Sequence, residues 1–254
     1  MPFQAVLLDL DGTVYRGSEP CPNAPEAIQK LLSLGLQIRY LTNNSAARPD
    51  SVTHKLNHMG IPCEPNWVIS SGMTAAAQVA RKKLSRVAIV GTPGLQESAV
   101  AAGLQLAEFD QAQAVLVGIC PSFDYQLLKE SSDAIRAGAL FIATNRDATY
   151  PYEGNRLAPG AGSIVAAIEV ASGVNPIVVG KPEPTMALDA CQSLGIDPNQ
   201  ALMVGDRLDT DIECARRAGC KPWLVLTGVT AEIVAELQGS ADLTGLVDYL
   251  TSSE

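Results

Sequence analysis

Histidine is scarce in this chain. Its 254 residues hold only two, His54 and His58. A Ser/His/Asp triad is therefore a poor fit. The i,i+4 spacing of the pair would suit zinc, but no Glu follows His54 and no third ligand is in view, so a solvated helix face is expected. The six cysteines are scattered with no CxxC pair. That pattern does not suggest a disulfide framework and leaves them as expected core residues. No apolar run approaches the ~20 residues that span a bilayer. Basic residues are outnumbered, 18 Lys and Arg against 27 Asp and Glu, for a net charge of −9. A general nucleic-acid binder would show a basic face instead. A phosphorylated small molecule stays compatible, because a bound cation and a few local donors reverse the potential inside a pocket. Low-complexity stretches and fixed-period repeats are also lacking. The opening MPFQAVLLDLD carries no basic leader, and its apolar run is broken at Asp9. A reduced, cytoplasmic protein is the expectation.

What is present is a chain able to bury a core, 47% hydrophobic and 18% charged, of a length for one large domain or two smaller ones. Short apolar runs alternate with helical patterns that end at glycine. The first runs are Ala5–Leu8, Gln37–Leu41 and Trp67–Ile69. The pattern restarts near Ser85 and returns after Asn175-Pro176, and a C-terminal helix is expected from about Ala231. Repeated βα units of this length predict an α/β fold with a doubly wound parallel sheet. The two breakpoints bracket a candidate inserted domain.

The densest chemistry lies in FQAVLLDLDGTV, residues 3–14. Asp9 and Asp11 end an apolar run and share one face of an extended segment, because side chains alternate there. Two carboxylates side by side suit a hard divalent cation such as Mg²⁺, with one carboxylate free to act as a nucleophile. Alone, the tetrad DLDG fits an acidic turn as well as it fits chemistry. Three later runs also end in polar groups. They are Thr42-Asn43-Asn44-Ser45, then Lys181, then Asp206 with Asp209 and Asp211. Each has a plain reading, as helix cap, solvated turn or helix N-terminal charge. Together, along the carboxyl ends of a parallel sheet, they would gather carboxylates, anion donors and an ammonium on one rim. Phosphoryl transfer needs that inventory.

In combination these motifs resemble a known family. DLDGT at 9–13, TNNS at 42–45, GKP at 180–182 and GDRLDTD at 205–211 are similar to the four motifs of the haloacid dehalogenase-like superfamily. FIATNRDATYP at 141–151, APGAGS at 158–163 and LVLTG at 224–228 resemble its NagD/4-nitrophenylphosphatase branch. The resemblance implies a Rossmann-like catalytic core, residues 1–85 plus 176–254, with an inserted α/β cap, residues 86–175. It implies a Mg²⁺-dependent phosphatase of small phosphomonoesters. In this reading Asp9 is the nucleophile and Asp11 the proton carrier. Thr42, Asn43 and Asn44 with Lys181 bind the phosphoryl group. Asp9, Asp11 (through its carbonyl) and Asp206 hold the metal, with Asp211 in support. Asn145, Arg146, Asp147 and Tyr150 of the cap select the substrate. Tyr150 stands where some relatives carry His. A phosphotransferase or mutase, or a non-catalytic binder of phosphometabolites, would use the same fold. The expected partner is a small phosphorylated metabolite, with no nucleic acid and no membrane, and a homodimer through the cap is anticipated.

Overall fold

The apolar run at the N-terminus forms the centre of a six-stranded parallel sheet. The structure is a computed structural model and describes residues 2–152 and 156–252. In chain order it runs β1 (Ala5–Asp9), the paired short strands β2 (Tyr15–Arg16) and β3 (Glu19–Pro20), α1 (Ala24–Ser33), β4 (Gln37–Thr42), α2 (Pro49–His58), β5 (Val68–Ser70) and α3 (Ser71–Arg81). Then come β6 (Arg86–Val90), α4 (Pro93–Ala101), β7 (Gln105–Leu106), β8 (Ala114–Val117), α5 (Tyr125–Arg136) and β9 (Leu140–Ala143). A hairpin of β10 (Thr149–Tyr152) and β11 (Arg156–Pro159) precedes α6 (Ala161–Ser172) and β12 (Ile177–Val178). The chain closes with α7 (Thr185–Leu194), β13 (Ala201–Gly205), a π-helical turn (Leu208–Ile212), α8 (Glu213–Ala218), β14 (Lys221–Val225), β15 (Gly239–Ser240) and α9 (Leu243–Thr251).

Two compact units emerge. The first comprises residues 1–42, 49–69 and 181–254, and the second residues 43–48 and 70–180. The first is built on the sheet β15-β14-β13-β1-β4-β5. Strand β1 is buried along its whole length, as expected for a central parallel strand covered on both faces. On one face Ala5 and Leu7 meet Met186, Ala187 and Ala190 of α7 and Cys214 and Ala215 of α8. Each fully buried large aliphatic side chain contributes about 1.5–3 kcal/mol. The register sets Leu8 opposite Val204 and Asp9 opposite Leu41. Asp9, Thr42 and Asp206 thus leave neighbouring strands at one end of this sheet, the rim where α/β folds bind ligands.

The second unit repeats the doubly wound plan on the sheet β12-β9-β8-β6-β7. Alternation along β8 is direct evidence of it. Ala114 and Leu116 face Ala75, Ala76 and Val79 of α3 and Leu95 and Ala99 of α4. Val115 and Val117 face Ala134 and Ile135 of α5 and Val165 and Ile168 of α6. The breakpoints between units fall at other places than the pattern restart near Ser85. Helix α3 joins the second sheet, because its alanine-rich face closes against β8 and α4.

Most elements follow the sequence reading, and Ser70 caps α3 by accepting from the Met73 N–H. Three places differ. The C-terminal helix begins at Leu243, not near Ala231. Glu236 adopts a left-handed φ of 68° and a short strand intervenes at Gly239, while Asp242 supplies the cap through Thr244 N–H. At Gly91-Thr92-Pro93-Gly94, where no helix is predicted from the sequence, the chain enters α4 with Pro93 in its first turn, a position that suits a residue without an N–H. The β10–β11 hairpin carried no alternating signal that the sequence reading used.

Candidate active site

Within the first unit, Lys181 is the hub. Its ammonium donates to Asp211 Oδ1 at 2.7 Å, to Asp9 Oδ1, and more weakly to the Leu41 carbonyl at 3.4 Å. It is only 3% exposed, so it is no solvated turn residue. Burial works against its charged form, but Asp211 and Asp9 outweigh that and hold its pKa above the ordinary lysine range. Burial pushes the Asp9 carboxyl well above its usual value, with the Lys181 charge pulling the other way.

Asp9, Asp206 and Asp211 bring carboxylate oxygens within 4.8 Å of one another. Three carboxylates face one ammonium, a cluster that is short of positive charge. Burial raises the Asp206 pKa, opposed by the Val229 N–H that donates to its Oδ2 at 2.6 Å. Its other oxygen, Oδ1, is buried and meets no donor among the described residues. Leaving a buried carboxylate oxygen unpaired is costly. A hard divalent cation resolves the deficit, and an all-oxygen donor set of this kind is what Mg²⁺ or Ca²⁺ takes. The residues present therefore fit a metal of that class.

Local sequence makes room for this cluster. Gly12 has φ 92°, and a Cβ there would stand 2.6 Å from Asp206 Oδ2. A Cβ on Gly228 would overlap the same carboxylate, and one on Gly205 would overlap Asp211. The loop after β14 is tied back by Thr227 Oγ1, which donates to the Gly12 carbonyl at 2.6 Å, and by Thr230 N–H, which donates to the Asp206 carbonyl.

Asp11 stands apart from the carboxylate cluster as an exposed residue. Tyr15 Oη donates to its Oδ2 at 3.4 Å, and the Lys55 ammonium lies 3.4 Å from the Tyr15 ring centroid. Protein atoms crowding its carboxyl raise its pKa, and Lys55 and the Tyr15 hydroxyl moderate the shift. Thr42 is buried at the end of β4. Asp209, grouped with Asp206 by spacing alone, is instead paired with Arg207 at 2.9 Å on the surface.

In the second unit, three of the sequence candidates meet. Asn43 Nδ2 donates to both Asp147 oxygens, at 3.3 and 3.1 Å. Its carbonyl accepts from Asn145 Nδ2 and from Ser71 Oγ, each at 2.7 Å. Asn44 closes its own turn, its Oδ1 accepting from Ala46 N–H. Arg146 turns to Glu169 of α6 at 2.9 Å. Tyr150 is half-buried in β10, opposite Ala158. His54 and His58 stack on the exposed face of α2 and belong to no metal-ligand cluster among the described residues.

Sequence reasoning missed Tyr15, Lys55, Ser71, Gly228 and Val229 as parts of these networks. Gly228 closes the LVLTG segment and so lay inside a quoted motif, whereas Tyr15 stands one residue beyond the quoted run 3–14. Lys55 and Ser71 carried no signal, since only folding brings them near.

Comparison with known proteins agrees with this geometry. A haloacid dehalogenase-like hydrolase family model matches residues 6–105, and a second model of that hydrolase type matches residues 178–252. An acid sugar phosphatase of Staphylococcus saprophyticus is 36% identical over 231 residues, covering 91% of this chain and 89% of the relative. The p-nitrophenyl phosphatase of Archaeoglobus fulgidus superposes with a TM-score of 0.92 at 28% identity, covering 97% of this chain and 99% of that one. A glycerol phosphate phosphatase of Mycobacterium tuberculosis, solved in complex with magnesium, is 37% identical with a TM-score of 0.86, covering 96% and 76%. The chain belongs to the haloacid dehalogenase-like hydrolases, in the branch of NagD and the 4-nitrophenylphosphatases, and is a phosphoric monoester hydrolase.

Proposed function

We propose that the protein is a Mg²⁺-dependent phosphatase of small phosphomonoesters, sugar or polyol phosphates foremost, working through an aspartyl phosphate on Asp9. The observation that carries this is the cluster of Asp9, Asp206 and Asp211, in which Lys181 bridges Asp9 and Asp211 while Asp206 Oδ1 meets no donor among the described residues. Relatives named for sugar and glycerol phosphates support the substrate class.

Asp9 Oδ attacks phosphorus while the bond from phosphorus to the ester oxygen breaks. Asp11 gives its proton to the departing alkoxide, then takes one from the water that attacks the aspartyl phosphate. Inorganic phosphate leaves and the Asp9 carboxylate is regenerated. A proton carrier distinct from the nucleophile is what hydrolysis needs. Lys181 holds Asp9 and neutralises the phosphoryl oxygens, with Asp211 keeping the ammonium charged and in place. Thr42 and Asn43 receive the phosphoryl group, with Asn44 in the same turn. Asp9, Asp206 and the Asp11 carbonyl hold Mg²⁺, which when bound offsets negative charge on the phosphoryl oxygens.

The unit built on the first sheet then acts as the catalytic core and the unit built on the second as a cap in which Arg146 and Tyr150 bear on substrate choice. Six free, buried thiols fit a reducing compartment such as the cytoplasm. No helix among the described residues is long and apolar enough to cross a membrane. A homodimer formed through the cap would show in light scattering as twice the chain mass.

The test is release of inorganic phosphate from 4-nitrophenyl phosphate and from a panel of sugar and polyol phosphates. Asp9→Asn abolishes release and EDTA suppresses it. Undiminished turnover by Asp9→Asn would remove Asp9 as nucleophile, and binding across the panel without turnover would favour a non-catalytic binder. Transfer of phosphate to added alcohols in preference to water would indicate a phosphotransferase.

A further inference from the structure

The segment 145–147 does more than present side chains outward. Its backbone is pinned by the start of α6. Gly160 N–H donates to the Ala148 carbonyl at 2.8 Å, and Gly162 N–H to the Asp147 carbonyl at 2.9 Å. A Cβ at either glycine would overlap the Arg146 or Asp147 backbone, so the contact admits glycine alone. From that fixed base, Asp147 N–H donates to Asn145 Oδ1 at 3.0 Å, which orients the Asn145 amide so that its Nδ2 reaches the Asn43 carbonyl. The Asp147 carboxylate takes the Asn43 amide on both oxygens. Asn43 Oδ1 in turn lies 2.7 Å from where a Gly180 Cβ would stand. Asn43 is held on its carbonyl by two donors and on its amide by a carboxylate, while Asn145 itself is 5% exposed.

We infer that Asp147 and Asn145 are positioning residues for Asn43, fixing the anion-binding turn 42–45, and that they do not read the leaving group. This rests on the reading of Thr42 and Asn43 as the phosphoryl cradle. A misplacement of about 1 Å in such a cradle costs on the order of a hundredfold in rate. A group that acts on the cradle affects every phosphomonoester alike, whereas a group that touches the leaving alcohol discriminates among them.

The experiment uses the full chain with Asp147→Ala and Asp147→Asn, the latter keeping one amide oxygen as acceptor. Two esters with unlike leaving groups are compared, 4-nitrophenyl phosphate and glycerol 3-phosphate, together with inhibition by inorganic phosphate. Asp147→Ala is expected to lower kcat/KM by the same factor for both esters, about tenfold to a hundredfold, and to weaken phosphate inhibition. Asp147→Asn is expected to restore part of each loss. Hydrogen exchange of residues 43–48 should quicken in Asp147→Ala without any ligand. A loss confined to one ester, or unchanged exchange of 43–48, overturns the inference. If Asp147→Ala does not fold, the same comparisons on Asp147→Asn decide. If the wild-type chain releases phosphate from neither ester, the phosphatase reading falls, and the exchange of 43–48 alone decides whether Asp147 holds that turn.

Discussion

Lys181 and Asp211 form a buried ion pair at 2.7 Å, and the same ammonium holds Asp9. Thirty residues of chain separate the pair, yet Gly205 leaves the space in which the Asp211 carboxylate sits. Its other oxygen, Oδ2, accepts from the Arg207 N–H at 3.1 Å. Asp211 thus has a donor on each oxygen and anchors the Lys181 ammonium.

Removing that anchor deprives the Lys181 ammonium of one of the carboxylates that hold it. Breaking a buried pair typically costs about 3–5 kcal/mol, so Asp211→Ala should lower the thermal midpoint by roughly 6–20 °C in a chain of this size. Turnover should fall with it. Differential scanning calorimetry and phosphate release check both, and an unchanged midpoint would show that the pair carries little stability.

Asp11 is predicted to behave as a proton carrier. Asp11→Asn keeps the shape but cannot give up or take the proton, and general acid–base groups are worth about 10²–10⁴ in rate. The fall should lie in kcat, with KM little changed, in steady-state assays of 4-nitrophenyl phosphate. A variant raising KM alone would place Asp11 in substrate binding.

Tyr15→Phe tests the neighbour that sequence reading missed. It removes one long hydrogen bond to Asp11 and leaves the ring under Lys55. A bond of this kind contributes about 0.5–1.5 kcal/mol, so kcat should drop by roughly twofold to tenfold. A drop as large as that of Asp11→Asn would give the hydroxyl a proton-transfer role of its own.

The Asp206 pocket predicts a metal-linked stability. A ligand that binds only the folded state stabilises it by about 2.7 kcal/mol at a hundred times its dissociation constant, a rise of several degrees in the thermal midpoint. Mg²⁺ should produce that rise in the wild-type chain, and Asp206→Ala should lose it. An equal rise in both would locate the cation elsewhere.

Gly228→Ala places a methyl group on the Asp206 carboxylate. Overpacking of this kind costs about 1–3 kcal/mol, and disturbing the support of a metal ligand weakens binding by about tenfold to a hundredfold. A Mg²⁺ titration of activity should shift to higher concentration, with turnover partly regained at saturation.

Several features were legible in the chain without any structure. Short apolar runs ending in Asp9 and Asp206 specify buried parallel strands whose polar tips share a rim, because a fully covered strand must be apolar throughout and can turn polar only where it leaves the sheet; the strand ending in Thr42 is buried mainly toward that end. The need for left-handed backbone at Gly12 was implicit in the DG turn. Other features depended on contacts between distant residues. No local pattern announces that Lys181 is buried between Asp9 and Asp211, that one Asp206 oxygen meets no donor among the described residues, or that Lys55 sits over Tyr15. The division of labour in 145–147 is of the same kind. Spacing presents Asn145, Arg146 and Asp147 as equals, and only the glycine-lined start of α6 and the position of Asn43 turn two of them inward while Arg146 goes to Glu169. Periodicity records which side of an element is buried. The identity of a side chain's partner is set by the tertiary packing that brings two distant segments within hydrogen-bonding reach.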